Sequence, residues 1–402
     1  MIDHRALGRE LDLFDSDPLI GAGLPYWLPA GAAIRSSIES YLLQVERRAG
    51  YQHVYSPVLA KRRLFELSGH WAHYRDDMFP PMNAGGDELV LRPSLCPDHA
   101  LIYRSRQHSY RDLPVRIAEL GAMFRSEASG VLGGLTRVRS IQLNDAHIFA
   151  RPGQVAAEVN AVLDMIEQAY RDLGIHAHRY RLSLRGHSAK YVDDQDMWDL
   201  GEHALAEVLA QRGLAYDEEA DEGAFYGPKI DIQIVDPSGR ESTLSTVQLD
   251  YYQPARFELA YLDAEQVAHR PVMIHRSVVG SLERVVAHLI DTHRGAFPAW
   301  LAPVQVVVLP VADEHRPAAQ ALLDQLLDLD VRAELAAAER GTLGARIRTH
   351  HRAPYLAIIG DREVEDDLVS LRLRGGTQLD ALPSAQALDR INGVIRARSQ
   401  QL

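Results

Sequence analysis

The sequence predicts an α+β protein with two domains, and two observations carry that prediction. Up to about residue 300, segments in which apolar and polar residues alternate follow one another with a few helical segments between them, which favours an antiparallel sheet. After "FPAWLAP" the pattern changes to short apolar runs separated by helical segments, as in an open α/β unit. We therefore predict one domain over residues 1–300 and a smaller one over residues 301–402.

Bulk composition is that of a globular protein with an ordinary core. The 402 residues are 46% hydrophobic and 24% charged, and no apolar run is long enough to span a membrane. A net charge of −12 argues against a general binder of polyanions. The single cysteine, Cys96, excludes an intrachain disulfide, and no signal peptide is visible, so we expect a cytoplasmic location.

The first elements are a helix and a strand. Ile34, Ile38 and Leu42 recur at helical spacing, and Gly50 is placed to end the helix. The next stretch, "YQHVYSPVL", predicts a strand whose proline is best placed at an edge or an interface. The polar, aromatic stretch "GHWAHYRDDMF" predicts a loop.

The later strands are more regular. In "SIQLNDAHIFA" one face presents Ile141, Leu143, Asp145, His147 and Phe149. A helix follows and ends at a glycine, and alternating strands come next in "YRLSLRG", "KIDIQIVD" and "STLSTVQLDYY". The stretch "VMIHRSVVGSLERVVAHLI" predicts a strand that turns through a glycine into a helix.

Four of these residues suggest a metal site. A catalytic zinc needs three protein ligands and an open position. Cys96 can supply a thiolate, and His275 ends the apolar run "PVMI". Asp145 and His147 project from the same face of one strand. No local C-x-x-C or H-E-x-x-H pattern is present, so a small buried cysteine and hydrogen-bonded structural histidines are the ordinary alternatives.

Arginines mark a candidate anion site. The stretch "MFRSEASGVLGGLTRVR" predicts a strand, a Gly-rich loop and a second strand, with Arg125 and Glu127 before the loop and Arg137 after it. Such a hairpin can hold a phosphate and the amino edge of a base. Arg284 in "GSLER" lies at a helix start, where a guanidinium can stack on a ring or bind phosphate. A surface hairpin and an ordinary helix terminus are the alternatives, and neither a P-loop nor a G-x-G-x-x-G pattern occurs.

The hairpin and "GSLER" resemble motifs 2 and 3 of the class II aminoacyl-tRNA synthetases, and the helix followed by "VYSPV" resembles motif 1. Other stretches resemble the threonyl-tRNA synthetases in particular, in family order and over essentially the whole chain: "GLPYWLPAG", "SGHWAHYRDDMF", "SYRDLPVRIAELG", "AFYGPKIDIQI" and "STVQLDY". The resemblance implies a class II antiparallel sheet flanked by helices, followed by an α/β anticodon-binding domain.

The resemblance also implies one zinc ion per chain, held by Cys96, His147 and His275. In this family the open positions of the metal take the amino and β-hydroxyl groups of the substrate, so a hydroxylated amino acid is distinguished from valine. Asp145 would accept hydrogen bonds from the same two groups. Tyr226 and Gln248 would line the amino-acid pocket.

For ATP, bound together with Mg2+, the resemblance assigns three contacts. It implies Arg125 at the α-phosphate and the carboxylate, Glu127 at the adenine amino group, and Arg284 at the adenine face or the γ-phosphate. Arg137 and Gln248 complete the implied ATP site.

The implied catalytic residues are Arg125, Arg284, Lys229 in "YGPK" and His70 in "SGHW". In the first step the amino-acid carboxylate attacks ATP. His70 matches a histidine implicated in the second step, transfer to the ribose hydroxyl of tRNA. Catalysis of this kind is mostly positioning and stabilisation of charge.

The C-terminal unit resembles the anticodon-binding domain of the family. Arg348, Glu363 and Arg372 match positions that read the anticodon, so tRNA(Thr) is the implied partner. Pro57 of motif 1 implies a homodimer. Full-length family members carry N-terminal domains, one of which hydrolyses seryl-tRNA, and the given sequence starts almost at the core, so we expect no editing of seryl-tRNA.

Positions around the implied substrate depart from the family pattern. Ser94 stands where methionine is usual, Ile141 replaces an aromatic residue, and Leu143 and Thr243 each replace a side chain with an amide. The zinc and arginine positions match, so the predicted function is ATP-dependent activation of threonine, or of a close β-hydroxy amino acid, and transfer to tRNA(Thr). Two alternatives stay open: a ligase that delivers a threonine-like adenylate to a carrier protein or small molecule, and a non-catalytic paralogue.

Overall fold

The computed structural model describes residues 3–402, in which helices and strands are interspersed. The helices are α1 (His4–Glu10), α2 (Pro29–Arg48), α3 (Arg62–Leu67), α4 (His70–His73), α5 (Cys96–Arg104), α6 (Val155–Leu173), α7 (Gln195–Gln211), α8 (Tyr252–Arg256), α9 (Leu282–His293), α10 (Arg316–Asp328), α11 (Leu343–Thr349), α12 (Asp361–Glu365) and α13 (Ser384–Arg396). The strands are β1 (Phe14–Asp15), β2 (Tyr26–Trp27), β3 (Gln52–His53), β4 (Leu59–Lys61), β5 (Met82–Ala84), β6 (Asp87–Leu91), β7 (Val115–Phe124), β8 (Ser140–Ala150), β9 (Arg179–Ser183), β10 (Tyr216–Glu219), β11 (Lys229–Val235), β12 (Glu241–Asp250), β13 (Tyr261–Leu262), β14 (Ala268–His269), β15 (Val272–Ser277), β16 (Val306–Pro310), β17 (Ala333–Leu335), β18 (Tyr355–Ile359), β19 (Leu368–Leu373) and β20 (Leu382–Pro383).

These elements fold into two compact units. The larger comprises residues 16–26 and 39–288, and the smaller comprises residues 3–15, 27–38 and 289–402. The α+β class is confirmed, because a large, mostly antiparallel sheet is followed along the chain by a smaller mixed sheet. The division at residue 300 stays a prediction. Among the described residues 3–402, no helix is both long and apolar enough to cross a bilayer.

The sheet of the larger unit aligns several predicted site residues across neighbouring strands. Its strand order is β10-β9-β11-β12-β15-β8-β7-β3, antiparallel from β9 to β7 and parallel at the two edges. Gln248 of β12 lies opposite His275 of β15, and His275 lies opposite His147 of β8. Since adjacent strands lie about 4.8 Å apart, this register alone places the two histidines within reach of one ion.

The predicted helix end at Gly174 and the predicted strand-to-helix turn at Gly280 are confirmed. Helix α6 ends at Gly174, which has a φ of 71° and closes the helix in the left-handed conformation. Gly280 has a φ of 65° between β15 and α9, and an added Cβ there would lie 2.4 Å from the carbonyl oxygen of Leu244. Only glycine fits this turn, which positions the start of α9 and therefore Arg284.

Two local predictions are wrong. The stretch "YQHVYSPVL" is not one strand but splits into β3 and β4, and Pro57 lies in the gap, where its missing N–H interrupts no ladder. The stretch predicted as a loop from Gly69 contains α4 and a 3-10 turn over Arg75–Asp77. Trp71 and Tyr74 of this segment pack against the buried cluster of Phe65, Met78 and Val90, and that packing stabilises the short helix.

The smaller unit is a mixed α/β layer. Strands β17, β16 and β18 are parallel, and β19 and β20 continue the sheet antiparallel in the order β17-β16-β18-β19-β20. Its core includes Val306 and Tyr355 from the sheet, Leu326 from α10 and Ile391 from α13. The alternation of apolar runs and helices after "FPAWLAP" thus reflects strands covered by amphipathic helices.

Candidate active site and metal centre

A cavity of about 570 Å³ in the larger unit gathers most of the predicted catalytic and ligand-binding residues. Its lining includes His70, Arg125, Glu127, Arg137, Asp145, Tyr226, Lys229, Gln248, His275 and Arg284. These residues come from widely separated parts of the chain. The fold therefore brings together, in one concave site, side chains that the sequence identified only as separate candidates.

Three of the predicted ligands form a buried donor cluster at this cavity. Donor atoms of Cys96, His147 and His275 all lie within 4.8 Å of one another. Cys96 and His147 are fully buried, and His275 is 4% exposed and lies in the cavity wall. Cys96 is the first residue of α5, which packs against the buried side chains of Phe149 and Met273.

Hydrogen bonds fix the tautomer of His275. Asp250 accepts a hydrogen bond from Nε2 of His275 at 2.8 Å. The same carboxylate is held by the backbone N–H groups of Tyr252 and Gln253 and by the Gln253 side chain. Since Nε2 carries the proton, Nδ1 of His275 presents a lone pair to the donor cluster.

Hydrogen bonds also fix the tautomer of His147, with the proton on the other ring nitrogen. Nδ1 of His147 lies 2.7 Å from Nδ1 of His99, and Nε2 of His99 lies 3.2 Å from a carboxylate oxygen of Glu119. A carboxylate only accepts, so His99 donates through Nε2 and accepts through Nδ1. His147 therefore carries its proton on Nδ1, and its Nε2 presents a lone pair to the cluster.

These proton positions make the cluster suited to a cation. Nε2 of His147 and Nδ1 of His275 face each other 3.0 Å apart, each with a lone pair. Two zinc–nitrogen bonds at tetrahedral angles place their nitrogens about 3.3 Å apart. Burial raises the pKa of the Cys96 thiol well above its usual range, so a cation is needed to hold it as thiolate. The donor set fits zinc, and it matches the site that the family resemblance implied.

The arginines form a second, anion-seeking part of the cavity. Nε of Arg125 is buried without a hydrogen-bond partner. Burial, together with Arg125 and Arg137, lowers the pKa of Arg284, whose Nη1 donates to the carbonyl oxygen of Thr243 at 2.8 Å. Glu127 forms a salt bridge with Arg137 at 2.8 Å, so two predicted ATP ligands are paired with each other across the hairpin. Guanidiniums that repel one another in a cavity, with the Arg125 Nε left without a partner, favour a polyanionic ligand.

His70 stands beside the metal cluster. Its Nδ1 lies 2.8 Å from the Ser68 hydroxyl, and its Nε2 lies 3.7 Å from the Cys96 sulfur. Burial, followed by the charges of His275, Arg125 and His73, lowers the pKa of His70 to about 3. The imidazole is therefore neutral at physiological pH.

Lys229 and Tyr226 occupy other parts of the wall. The Lys229 ammonium lies 2.8 Å from Asp231, a fully buried carboxylate that also accepts from Arg181 and Ser183. The Tyr226 hydroxyl donates to Gln248 at 2.7 Å. Lys229 is thus held by a fixed anion rather than being free to swing.

The four positions that depart from the family pattern all line the same cavity: Ser94, Ile141, Leu143 and Thr243. The Ser94 hydroxyl lies 3.1 Å from the Cys96 sulfur, next to the donor cluster. Thr243 exchanges hydrogen bonds with Gln233. The departures therefore lie where a substrate would be contacted.

The predicted anticodon residues lie in the smaller unit. Arg348 is exposed on α11, and Arg372 is half-buried on β19. Glu363 accepts from the backbone N–H of Gly360 and from the Ser370 hydroxyl, so it closes the first turn of α12. Within residues 3–402, neither Arg348 nor Arg372 takes part in a salt bridge.

A second group of possible metal donors in the smaller unit does not suit a metal. Glu314, His315 and Asp361 place donor atoms within 4.8 Å of one another. However, the Ala312 N–H donates to Nδ1 of His315, so Nε2 carries the proton that His315 donates to Asp361. No imidazole lone pair is left for an ion.

Sequence reasoning missed the residues that orient the metal donors: His99, Glu119, Asp250 and Gln253. Two had a visible signal. His99 lies three residues after Cys96, one helical turn along α5, and Asp250 lies two residues after Gln248 on the same strand face. Glu119 had none, because only the pairing of β7 with β8 brings it close.

Two family descriptions match the chain. Residues 79–293 match "tRNA synthetase class II core domain (G, H, P, S and T)", and residues 305–393 match "Anticodon binding domain". The first covers the cavity residues from Ser94 to Arg284 and does not cover His70. The second covers all three predicted anticodon residues.

Similar curated proteins are threonine--tRNA ligases. One from Staphylococcus carnosus is 46% identical over 405 residues, which is 99% of this chain and 62% of that protein. One from Pediococcus pentosaceus is 47% identical over 400 residues, which is 98% of this chain and 61% of that protein. The chain thus spans less than two thirds of the length of these relatives.

Solved structures show the same fold. The structure described as the RNA binding domain of threonyl-tRNA synthetase from Cryptosporidium parvum Iowa II has a TM-score of 0.92 and 34% identity, covering 98% of each chain. Prolyl-tRNA synthetase from Giardia lamblia, in complex with prolyl-adenylate, has a TM-score of 0.76 and 16% identity over 98% of this chain and 79% of that chain. At that identity the second likeness concerns the fold alone.

Proposed function

The chain belongs to the class II tRNA synthetases, with a core of the G, H, P, S and T type and an anticodon binding domain, and on that premise we propose that it is a threonine--tRNA ligase. It would activate threonine, or a close β-hydroxy amino acid, with ATP and transfer it to tRNA(Thr). The observation that carries the proposal is the donor cluster of Cys96, His147 and His275 beside a cavity that Arg125, Arg137 and Arg284 also line.

Recognition of the amino acid is the first task of the site. A bound zinc ion would supply a Lewis acid for the amino and hydroxyl groups of the substrate. Asp145, buried in the cavity wall on the same strand face as His147, is placed to accept hydrogen bonds from those groups. Tyr226 and Gln248, joined by their hydrogen bond, close the adjacent wall.

Activation joins the substrate carboxylate to ATP. A carboxylate oxygen forms a bond to the α-phosphorus, and the bond from that phosphorus to the leaving pyrophosphate breaks. Arg125 and Arg284 would hold the phosphates as charge moves between oxygens, and Mg2+ would accompany ATP. The unpaired Nε of Arg125 supports this role, because no protein group accepts its hydrogen bond and the residue lines the cavity.

Transfer to tRNA needs a base near the ribose hydroxyl. Ser68 donates its own proton to the carbonyl oxygen of Phe65, so it accepts from Nδ1–H of His70. Nε2 of His70 is left with a lone pair, which would take the ribose proton as the hydroxyl oxygen attacks the acyl carbon and AMP leaves. The smaller unit would bind the anticodon through Arg348, Glu363 and Arg372.

We also propose that the chain forms a homodimer through the segment around Pro57. Tyr55 is 90% exposed, and Val58 and Leu59 are each 38% exposed, which places an apolar surface next to a proline that cannot extend a ladder. Sedimentation analysis should give a dimer for the wild type and a shift towards monomer for Tyr55→Asp. A wild type that sediments as a monomer at micromolar concentration would remove the proposal.

Amino-acid-dependent exchange of pyrophosphate into ATP tests the main proposal. The panel is threonine, serine, valine and β-hydroxy analogues of threonine, followed by charging of total tRNA. We expect exchange with threonine or a β-hydroxy analogue, little with valine, and charging of tRNA(Thr). Exchange without any charging would favour the ligase that delivers to a carrier, and no exchange with any amino acid would favour the non-catalytic paralogue.

A further inference from the structure

Behind His147 runs a buried hydrogen-bonded chain that the proposed reaction does not use. It passes from Nδ1 of His147 to His99 at 2.7 Å and from His99 to Glu119 at 3.2 Å. His99 is fully buried and Glu119 is 3% exposed, so water does not compete for these bonds. With both imidazoles neutral, the chain has one consistent set of proton positions, because its far end is a carboxylate that can only accept.

The carboxylate at the end of the chain is itself immobilised. Nη2 of the buried Arg92 donates to one Glu119 oxygen at 2.9 Å, and the Ser56 hydroxyl donates to the other at 2.6 Å. Nη1 of Arg92 also donates to that hydroxyl oxygen. Glu119 therefore presents a fixed acceptor to His99, and the orientation of the His99 ring is determined.

We infer that His99 and Glu119 are positioning residues for the metal centre, which hold His147 in the tautomer with Nε2 free to bind the ion. The inference rests on the proposed metal site. Asp250 orients His275 by a direct hydrogen bond. His147 is instead oriented by Glu119 acting through the imidazole of His99.

The geometry requires, between His147 and Glu119, a side chain that accepts one hydrogen bond and donates another. His99 must accept from one neighbour and donate to the other at the same time, which a neutral imidazole does with its two nitrogens. A glutamine amide can also accept and donate, whereas phenylalanine can do neither. Replacing His99 with phenylalanine would leave the Nδ1–H of His147 buried without a partner.

Zinc affinity tests the inference. Competition with a chromogenic chelator is measured for the wild type, His99→Phe, His99→Gln and the control His108→Phe. His108 stacks on Tyr103 of the same helix α5 at 4.0 Å between ring centroids and is not in contact with the donor cluster. Loss of a hydrogen-bond partner of a metal ligand typically lowers metal affinity 10- to 100-fold, and we expect a loss of about that size for His99→Phe. We expect His99→Gln to recover most of the lost zinc affinity and His108→Phe to leave the affinity unchanged.

Equal zinc affinity in His99→Phe and the wild type would overturn the inference about His99 but would not contradict the proposed metal site. A wild type that binds no zinc would instead remove the proposed metal site. Thermal unfolding of the metal-free proteins shows whether His99→Phe is folded.

A second measurement needs no variant. Long-range nitrogen–proton NMR spectra of the wild type with 15N-labelled histidine report which ring nitrogen carries the proton. We expect Nδ1–H on His147 and Nε2–H on His99, both without metal and with zinc. A His147 ring protonated on Nε2 in the metal-free protein would contradict the inference.

Discussion

The candidate metal centre and the candidate anticodon surface are built in opposite ways. Around the metal donors the two imidazoles are held by hydrogen bonds to partners that are themselves held, as Glu119 is by Arg92 and Ser56. On the smaller unit, Arg348 is exposed and Arg372 is only half-buried. A site that must hold an ion and reacting atoms requires preorganisation, whereas a surface that binds unstacked bases works with mobile side chains.

The comparison has a consequence for mutations. In the metal centre a single change removes the function of several groups, because each partner is left buried and unsatisfied. On the anticodon surface each side chain acts nearly alone, so effects should be smaller and nearly additive.

Removal of the sulfur ligand should have the largest effect. We expect Cys96→Ala to lose zinc and to lower threonine-dependent pyrophosphate exchange about 1,000-fold or more, because a Lewis acid contributes several kcal/mol to such a step. The matched control is Tyr103→Phe, which lies in the same buried cluster and loses only a bond to the Ala260 carbonyl oxygen. Undiminished zinc content in Cys96→Ala would remove Cys96 from the ligand set.

The arginine part of the cavity should respond independently of the metal. We expect Arg284→Lys to lower kcat/KM for ATP about 100-fold, because an ammonium keeps the charge but loses the planar fork, while zinc content stays the same. Arg212→Lys is the control, since Arg212 pairs with Asp164 and Glu167 away from the cavity. A parallel loss of zinc would mean that the two parts are one structural unit.

The buried ion pair of Glu46 and Arg276 should contribute to the free energy of unfolding. Burial alone would raise the pKa of Glu46, but Arg276, His53 and Asn144 outweigh it and hold that pKa below its ordinary value. A lowered carboxyl pKa means that the stabilisation is complete above about pH 4 and is lost as the pH falls through the folded-state pKa. We expect Glu46→Gln to be less stable at pH 7 by about 3 kcal/mol.

Urea unfolding at several pH values measures that effect. The difference between the wild type and Glu46→Gln should narrow as the pH falls below about 4. A difference that stays constant over the whole range would show that packing, and not charge, accounts for the loss.

The anticodon surface should give the smallest effect. We expect Arg372→Ala to raise the KM for tRNA about 10-fold, which is the size typical of one lost base contact, and to leave pyrophosphate exchange unchanged. Arg396→Ala on α13, an exposed arginine outside the predicted set, is the control. Equal charging kinetics for Arg372→Ala and the wild type would take Arg372 out of the anticodon site.

The strand faces were predictable because they follow from local alternation, whereas the metal ligand set was implied by the family resemblance. Ile141, Leu143 and Asp145 line the cavity together, as alternation on β8 required. The fit of the donor cluster was not predictable from spacing, since it depends on the register of β8 against β15 and on the packing of α5. The proton positions on the histidine rings were even less predictable, because they depend on Glu119 and Asp250, which accept hydrogen bonds from side chains distant in sequence.

The errors have a similar cause. Local pattern predicts a continuous strand through Pro57, whereas the structure places this proline between two short strands, where no ladder partner is needed. The short helix α4, which carries His70, has polar and aromatic residues that by themselves predict a loop. Its stability comes from contacts with Phe65 and other core residues that local pattern does not reveal.

The most direct test of the account is X-ray absorption at the zinc edge on the wild-type chain after equilibration with one equivalent of zinc. We predict one sulfur at about 2.3 Å and nitrogen or oxygen ligands at about 2.0 Å, with the scattering pattern of two imidazoles. A zinc environment without sulfur, or one with only oxygen ligands, would contradict the assignment of Cys96, His147 and His275 and with it the proposed basis of amino-acid recognition.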